Sequence, residues 1–310
     1  MNPKIIIHGA SSFLGKNFTK SLIENGYEIF ILSRPSSNLS FLPNKKEIKI
    51  FRYNHIEEIL QKKILSNLNY NIFFEFSWYG VFNDKRNDPQ QLTINIPLII
   101  NSIKIAKHLH SKHWIGFGSQ AEYGIHNYKI SEETPCNPTT LYGKAKYICS
   151  QIANILCTAY GIEYTWLRIF SLYGPNDNHK WFINYLIEKL LLNEEIDMTL
   201  GEQKWDYLYI DDAVDALMKL ITVEKGLGII NLASGNSIRL KDLVLLAKKL
   251  TQSDSKINFG KIPYREDQVM NMEADISKIS QLLGWKPKYD YWQGLLKMIN
   301  EYKKEWNLSK

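Results

Sequence analysis

The chain has 310 residues, of which 45% are hydrophobic, and its formal net charge is +6 at pH 7. This hydrophobic fraction is enough for a packed core and excludes an intrinsically disordered chain. The basic residues are scattered and form no dense stretch interleaved with aromatic residues, which argues against a nucleic-acid partner.

Three cysteines, Cys136, Cys149 and Cys157, give an odd count and no spacing typical of a metal site. We therefore expect free thiols in a reducing compartment and no bound metal. The first residues lack the layout of a secretory signal peptide, and no apolar run approaches membrane-spanning length. The sequence predicts a cytoplasmic protein that has neither a membrane nor a nucleic acid as its partner.

Short apolar runs alternate with helical patterns along the first 170 residues. The predicted strands are residues 4–10, 27–34, 46–53, 70–78, 113–119 and 162–170. The predicted helices are residues 13–26, 89–110 and a long segment that begins at Leu141. This alternation is typical of βαβ units around a buried parallel sheet.

Beyond residue 172 the pattern loosens into helical segments at 181–193, 239–251 and 277–285 and a strand-like run at 226–234. We predict an α/β fold with a doubly wound (Rossmann) parallel sheet. Residues 1–172 and about 206–232 would form this dinucleotide-binding domain. Residues from about 173 to 205 and from 233 to 310 would form a smaller α/β lobe that binds the substrate.

The turn after the first strand has the features of a phosphate-binding loop. Gly9 permits a tight turn and Gly15 permits close helix packing, although Ser12 stands where a third glycine is usual. The free N–H groups at the helix N-terminus would face a pyrophosphate. The expected cofactor contacts in this turn are Gly9, Ser11, Ser12, Phe13, Leu14 and Gly15.

The second strand ends at Ser33 and Arg34, where an NAD site usually carries an acidic residue for the ribose 2′-hydroxyl. A hydroxyl group and a cation suit a 2′-phosphate better. The sequence therefore favours NADP(H) over NAD(H), which stays an alternative.

A tyrosine and a lysine, Tyr142 and Lys146, lie four residues apart in the long helix and thus on one helical face. Alone, such a pair is common on surface helices. Ser119, at the end of the fifth strand, adds a third group. With the phosphate loop and the motifs "GSQAEYG", "YGKAK" and "LRIFSLYGP", the chain resembles the extended short-chain dehydrogenases/reductases that act on nucleotide sugars.

The resemblance implies an NAD(P)-dependent enzyme with Ser119, Tyr142 and Lys146 as its catalytic residues. Tyr142 would exchange a proton with a sugar oxygen while a hydride moves to or from the nicotinamide. An unperturbed phenol titrates near ~10, so we expect Lys146 and the oxidised nicotinamide to lower the pKa of Tyr142. Ser119 would orient the same oxygen.

The resemblance also implies ligand contacts outside the triad. The cofactor would be contacted by Phe76, Ser77, Trp78, Asn95, Phe170, Tyr142 and Lys146. The substrate would be contacted by Ser119, Gln120, Ser171, His179, Trp181, Trp205 and Arg265. Trp181 and Trp205 replace polar residues of the family pattern, which indicates a changed substrate pocket.

Three functions remain open. Gln120 and Ala121 stand where dehydratases carry Asp and Glu, and neither can move a proton, so dehydration is disfavoured. We favour NADPH-dependent reduction of a nucleotide-linked 4-keto-(6-deoxy)hexose in the biosynthesis of a surface polysaccharide. A nucleotide-sugar 4-epimerase with retained cofactor is the alternative, and a non-catalytic NADP(H)-binding regulator is a third reading.

The resemblance further implies a homodimer formed by the helices that contain Pro97 and Leu141.

Overall fold

A parallel sheet of seven strands organises the fold in the computed structural model, which describes residues 2–61, 70–265 and 268–307. The strands lie in the order β11-β6-β5-β4-β1-β2-β3, and each neighbouring pair is parallel. Their bounds are β1 Ile5–His8, β2 Ile29–Ser33, β3 Ile48–Arg52, β4 Ile72–Glu75, β5 His113–Ser119, β6 Glu163–Ile169 and β11 Gly228–Leu232. The predicted doubly wound α/β fold is confirmed.

Nine helices belong to the described part of the chain. They are α1 Phe13–Glu24, α2 Glu58–Gln61, α3 Gln90–His108, α4 Leu141–Tyr160, α5 Phe182–Leu191, α6 Ile210–Leu220, α7 Leu240–Thr251, α8 Ser277–Leu283 and α9 Tyr291–Glu305. Short 3-10 turns occur at Asn83–Lys85 and Gln120–Glu122. Within the described ranges, no helix is both long enough and apolar enough to cross a membrane.

Three small sheets follow β6. Strand β7 (Ser171–Tyr173) pairs with β10 (Tyr207–Tyr209), and β8 (Ile196–Met198) pairs with β13 (Ile257–Phe259). The third sheet contains β12 (Ile238–Arg239), β9 (Lys204–Trp205) and β14 (Asn271–Met272). These short strands bring residues 171 and 205 to the carboxyl side of the large sheet.

Local chemistry explains where the two helices nearest the site begin. The Ser12 side chain accepts a hydrogen bond from the Gly15 N–H at the start of α1, and Thr140 accepts one from the Gly143 N–H at the start of α4. Such caps satisfy N–H groups that have no partner inside the helix. Gly161, with a φ of 66°, ends α4 in the left-handed conformation that glycine adopts readily.

The sequence pattern located the long elements but missed others. Strand β5 and the start of α4 agree with the predicted residues. Helices α6 and α9 were not assigned in advance, although buried residues recur at helical spacing in both, as at Ile210, Ala213 and Leu217 in α6. The strand-like run near Gly228 proves to be the seventh strand of the large sheet, paired with β6.

Candidate active site

The turn between β1 and α1 has the shape that a dinucleotide pyrophosphate requires. Gly9 has a φ of 87°, and a Cβ there would lie 2.7 Å from the Ser77 nitrogen. A Cβ on Gly15 would lie 2.5 Å from the Gly9 carbonyl oxygen. Both positions therefore need glycine, and they leave the N-terminus of α1 open to an anion. This cradle fits the predicted cofactor.

The other predicted residues of this turn differ in their exposure. Ser11 is exposed, and the Ser12 hydroxyl donates a hydrogen bond to the Gly9 carbonyl oxygen at 2.9 Å. Leu14 is buried in the main core, and Phe13 packs against that core. Backbone groups and the two serines are thus the parts of this turn that are suited to bind phosphate.

Two arginines flank the end of β2. Ser33 is buried and Arg34 is exposed beside it. Arg52 donates from Nη1 to the carbonyl oxygens of Arg34, Pro35 and Ser37, at 3.0, 3.1 and 3.4 Å. Arg52 therefore holds the backbone of the loop that begins at the exposed Arg34.

The loop after β4 lies against the end of β5. The ring of Phe76 stacks on Phe117 with a centroid separation of 4.2 Å. The Ser77 N–H donates to the Glu75 carboxylate at 2.9 Å, and Trp78 Nε1 donates to Gln91 at 3.1 Å. The loop is therefore anchored on both sides of the turn that carries the predicted cofactor contacts.

Asn95 has its amide group engaged within the protein. Its Oδ1 accepts from the Tyr79 N–H at 2.8 Å, and its Nδ2 donates to the Tyr79 carbonyl and to Gln91. The side chain is fully buried. Asn95 thus fixes the backbone of the loop after β4, and a direct cofactor contact stays a prediction.

Ser119, Tyr142 and Lys146 converge at the carboxyl end of the sheet. Ser119 is the last residue of β5, Tyr142 is the second residue of α4, and Lys146 lies one turn further along the same helix. Tyr142 is partly exposed, and the Ser119 side chain lies near enough to its phenol to act against the rise of the Tyr142 pKa. A substrate oxygen placed between the hydroxyl groups of Ser119 and Tyr142 can accept hydrogen bonds from both.

Lys146 is buried and engaged away from the phenol. Its Nζ donates to the Phe117 carbonyl oxygen at 2.6 Å and lies 3.5 Å from the ring centroid of Trp78. The same nitrogen is 5.9 Å from the ring centroid of Tyr142. Burial lowers the pKa of Lys146 to about 7, although neighbouring Cys149, Glu122 and Glu75 act to raise it.

The expectation that Lys146 lowers the pKa of Tyr142 is not met in the free protein. Burial raises the pKa of Tyr142, and the Ser119 side chain and the charge of Arg86 oppose that rise. The physical reason is the position of Lys146, whose ammonium group is directed to Phe117 and Trp78. Arg86 and Lys146 both lie over the ring of Tyr142, at 4.8 and 5.9 Å from its centroid.

A buried carboxylate supports the backbone of Ser119. Glu122 accepts from the Ser119 N–H at 2.9 Å and from Trp166 Nε1 at 2.9 Å through Oε1. Its second oxygen forms an ion pair with Arg168 Nε at 2.8 Å. Glu122 and Arg168 are both almost fully buried, so this pair fixes the 3-10 turn that follows Ser119.

Two aromatic residues of the predicted substrate pocket have defined partners. Trp205 Nε1 donates to the Ser171 hydroxyl at 2.6 Å, which joins two residues predicted from separate motifs. Trp181 stacks on Phe82 with a centroid separation of 5.3 Å. The loop after β4 thus contacts the segment that precedes α5.

The remaining predicted residues vary in their surroundings. Phe170 is buried and tilted against Tyr123, and Gln120 is partly buried next to Ser119. His179 and Arg265 are exposed. Across the described ranges, no group of three His, Cys, Asp or Glu residues could hold a metal.

Sequence reasoning missed Arg86, Glu122 and Phe82. Glu122 could have been noticed as an acidic residue directly inside the "GSQAEYG" motif. Arg86 and Phe82 lie in a polar loop, and the sequence of this loop has no periodicity that predicts the direction of its side chains.

A parallel sheet with a glycine turn after its first strand, and a Ser–Tyr–Lys set at its carboxyl edge, define an extended short-chain dehydrogenase/reductase. The family model described as "NAD dependent epimerase/dehydratase family" matches residues 5–233, and the chain belongs to this family. It is therefore an oxidoreductase-type enzyme of the nucleotide-sugar epimerases and dehydratases.

Named relatives cover almost the whole chain. A CDP-abequose synthase of Salmonella muenchen is 29% identical over 97% of this chain and 98% of its own length. A UDP-glucose 4-epimerase of Lactobacillus helveticus is 23% identical, with 93% of each chain covered. The structure of a UDP-glucose 4-epimerase from Thermotoga maritima with UDP-glucose has a TM-score of 0.86 at 22% identity and covers 98% of this chain and 99% of its own.

Proposed function

We propose that this enzyme reduces a nucleotide-linked 4-keto-(6-deoxy)hexose to the hydroxy sugar with NADPH. The observation that carries the proposal is the exposed Arg34 beside the buried Ser33 at the end of β2, a pair that suits the 2′-phosphate of the NADPH that such a reduction consumes. Gln120 and Ala121, directly after Ser119, disfavour dehydration. The site holds one proton donor for a carbonyl oxygen and lacks the acid pair for loss of water. The likeness to a CDP-abequose synthase supports the same reaction class.

The chain's residues would act on one oxygen of the sugar. When bound, the reduced nicotinamide supplies a hydride to the C4 carbonyl carbon. The Tyr142 hydroxyl donates its proton to the oxygen, so that the C=O bond becomes a C–OH group. The Ser119 hydroxyl holds that oxygen in place during the transfer, and solvent then restores the proton of Tyr142.

NADPH is the proposed cofactor because of the groups at the end of β2. An exposed Arg34 beside Ser33, with no acidic residue at the strand end, suits a 2′-phosphate. Arg52 supports this choice because it fixes the loop backbone that presents Arg34. The family description names NAD, so NAD(H) is the competing cofactor.

The proposed substrate is a CDP-linked sugar, by analogy with the relative that is 29% identical. Trp205 and Trp181 would provide flat apolar surfaces for a base or a sugar face. This substrate would place the enzyme in the supply of sugars for a surface polysaccharide.

A 4-epimerase is the second candidate, favoured by the similarity to a UDP-glucose 4-epimerase. The same Tyr142 and Ser119 would first accept and then return a proton, with the cofactor retained. A non-catalytic NADP(H)-binding role is disfavoured by the assembled Ser–Tyr–Lys site.

Incubation with CDP-, UDP-, dTDP- and GDP-linked 4-keto-6-deoxy sugars and NADPH tests these functions. We expect loss of absorbance of the reduced nicotinamide, fastest with the CDP sugar, and none with the Tyr142→Phe variant. The Tyr147→Phe variant, altered on the same helix, is the matched control and should stay active. Interconversion of UDP-glucose and UDP-galactose without consumption of NADPH would instead establish the 4-epimerase. Unchanged biological activity of the Tyr142→Phe variant would establish the non-catalytic binding role.

We also propose a homodimer formed through α3 and α4. The two helices pack side by side, and Ile94, Ile148 and Ile155 are 39%, 37% and 67% exposed. Isoleucines that protrude from an adjacent helix pair are typical of a surface that a second copy covers.

A further inference from the structure

The loop between β4 and α3 is fixed to the first turn of the helix that carries Tyr142. The Arg86 carbonyl oxygen accepts from the Tyr142 N–H at 2.8 Å. The Asn87 side chain accepts from the Leu141 N–H at 3.1 Å. Two consecutive loop residues thus satisfy two N–H groups at the start of α4, which sets the position of Arg86 relative to the phenol.

The guanidinium of Arg86 lies over the ring of Tyr142. Its central carbon is 4.8 Å from the ring centroid, inside the range of a cation–π contact. Arg86 Nε is buried and has no hydrogen-bond partner among the described residues. A guanidinium remains charged at every pH at which the protein is folded.

Three charged side chains face Tyr142 from the surrounding elements. Arg86 comes from the loop after β4, Lys146 from α4, and Glu122 from the turn after β5. Lys146 Nζ is more distant from the ring than Arg86, and it is hydrogen-bonded to the Phe117 carbonyl. Glu122 is neutralised by its ion pair with Arg168. Of the two cations, Arg86 is therefore the one that lies nearer to the ring of Tyr142.

We propose that Arg86 is a positioning residue that acts through Tyr142 and stabilises its phenolate. This inference rests on the proposed function, in which the phenol O–H bond breaks as the sugar O–H bond forms. The electron pair of the broken bond stays on the phenol oxygen. The Arg86 guanidinium, on a loop whose main chain is hydrogen-bonded to the start of α4, balances that charge until solvent returns a proton.

Arg86 acts in addition to Lys146, whose ammonium lies further from the ring of Tyr142. The Lys146 ammonium contacts the Trp78 ring and donates a hydrogen bond to the Phe117 carbonyl oxygen. Arg86 belongs to the same loop as Phe82, which stacks on Trp181. The same loop thus contacts both the proton donor and the proposed substrate surface.

Titration of Tyr142 in the free protein tests the inference without any substrate. Protein labelled with 13C at the tyrosine ring carbon that bears oxygen is observed by NMR, and Tyr142→Phe identifies the signal. We expect Arg86→Gln to reduce the ionised fraction of Tyr142 at every alkaline pH at which both proteins stay folded. The reduction should correspond to a titration midpoint of Tyr142 that is about one pH unit higher than in wild type. Arg86→Lys, which keeps the charge, should restore part of the shift.

Lys85→Gln is the matched control, because the Lys85 ammonium is exposed and pairs with Asp88. Lys85→Gln should leave the Tyr142 signal unchanged.

In turnover, Arg86→Gln should lower kcat about tenfold or more and change the KM for cofactor little. An ionised fraction of Tyr142 that is equal in wild type and Arg86→Gln would overturn the inference, as would a larger shift in Lys146→Met. Because the titration needs no turnover, a failed activity assay with a positive titration would contradict only the proposed function.

Discussion

The ammonium nitrogen of Lys146 and the carbonyl oxygen of Phe117 are 2.6 Å apart, which joins the start of α4 to the end of β5. This bond holds a buried amine beside Trp78 and beneath the strand that ends in Ser119. Lys146 thereby couples the two elements that carry the proton donor and its serine partner. Burial of the Lys146 amine disfavours its protonated form.

Lys146→Met should change how stability depends on pH. The folded pKa of Lys146 is about 7, below the value of ~10.4 for an exposed lysine. Between these values the unfolded chain binds a proton that the folded protein has lost, so this group adds stability as pH rises from 7 to 10. The free energy of unfolding of wild type relative to Lys146→Met should rise by at most ~1.4 kcal/mol per pH unit.

Urea unfolding of both proteins from pH 7 to 10 measures this difference. Lys144→Met, altered at an exposed lysine of the same helix, is the control and should show a constant difference. A constant difference for Lys146→Met as well would show that burial does not perturb this amine.

Glu122→Ala should destabilise the fold and displace Ser119. The substitution leaves the buried Arg168 without its ion-pair partner and removes the acceptor of the Ser119 N–H. Breaking a buried pair in this way costs about 3–5 kcal/mol. Equilibrium urea unfolding at neutral pH is the measurement.

Glu202→Ala is the comparison for that prediction, because Glu202 pairs with Arg239 on the surface. Exposed pairs of this kind contribute about 0–1 kcal/mol. Equal losses of stability in the two variants would contradict the structural role of Glu122.

Ile155→Glu should convert the proposed dimer to a monomer. A carboxylate at the most exposed isoleucine of α4 would have to be buried without a partner at the two-fold interface. Light scattering coupled to size-exclusion chromatography measures the mass. Leu245→Glu, at an exposed leucine of α7, should leave the dimer intact, and a wild-type protein of 36.2 kDa would refute the dimer itself.

Arg34→Ala should weaken NADPH binding about tenfold and leave NADH binding nearly unchanged. The lost guanidinium would pair with the 2′-phosphate, which NADH lacks. Fluorescence titration of the free protein with each cofactor gives both affinities. Lys20→Ala, at an exposed position of α1, should bind both as wild type does. If the wild-type protein bound NADH more tightly than NADPH, the proposed preference for NADPH would be contradicted.

The sequence located the parts of the site that depend on local spacing. Tyr142 and Lys146 share a helical face, and Ser119 ends a strand that could be read from its apolar run. The sequence could not locate Arg86, and it named Trp78 only as a cofactor contact, because the contacts of these residues with Tyr142 and Lys146 depend on how the loop after β4 folds back on α4. The expected effect of Lys146 on Tyr142 was wrong in the free protein for the same reason. The direction of a long side chain is set by tertiary contacts, here the Phe117 carbonyl.

Transfer of deuteride is the most direct test of the central claim. The enzyme is incubated with a CDP-linked 4-keto-6-deoxyhexose and NADPH deuterated at nicotinamide C4 on the face that is transferred, and the sugar is analysed by NMR and mass spectrometry. We expect one deuterium at C4 of the sugar for each NADPH oxidised, and none with Tyr142→Phe. The proposed reduction would be contradicted if NADPH were not consumed while an ordinary UDP-hexose were inverted at C4 without gaining deuterium.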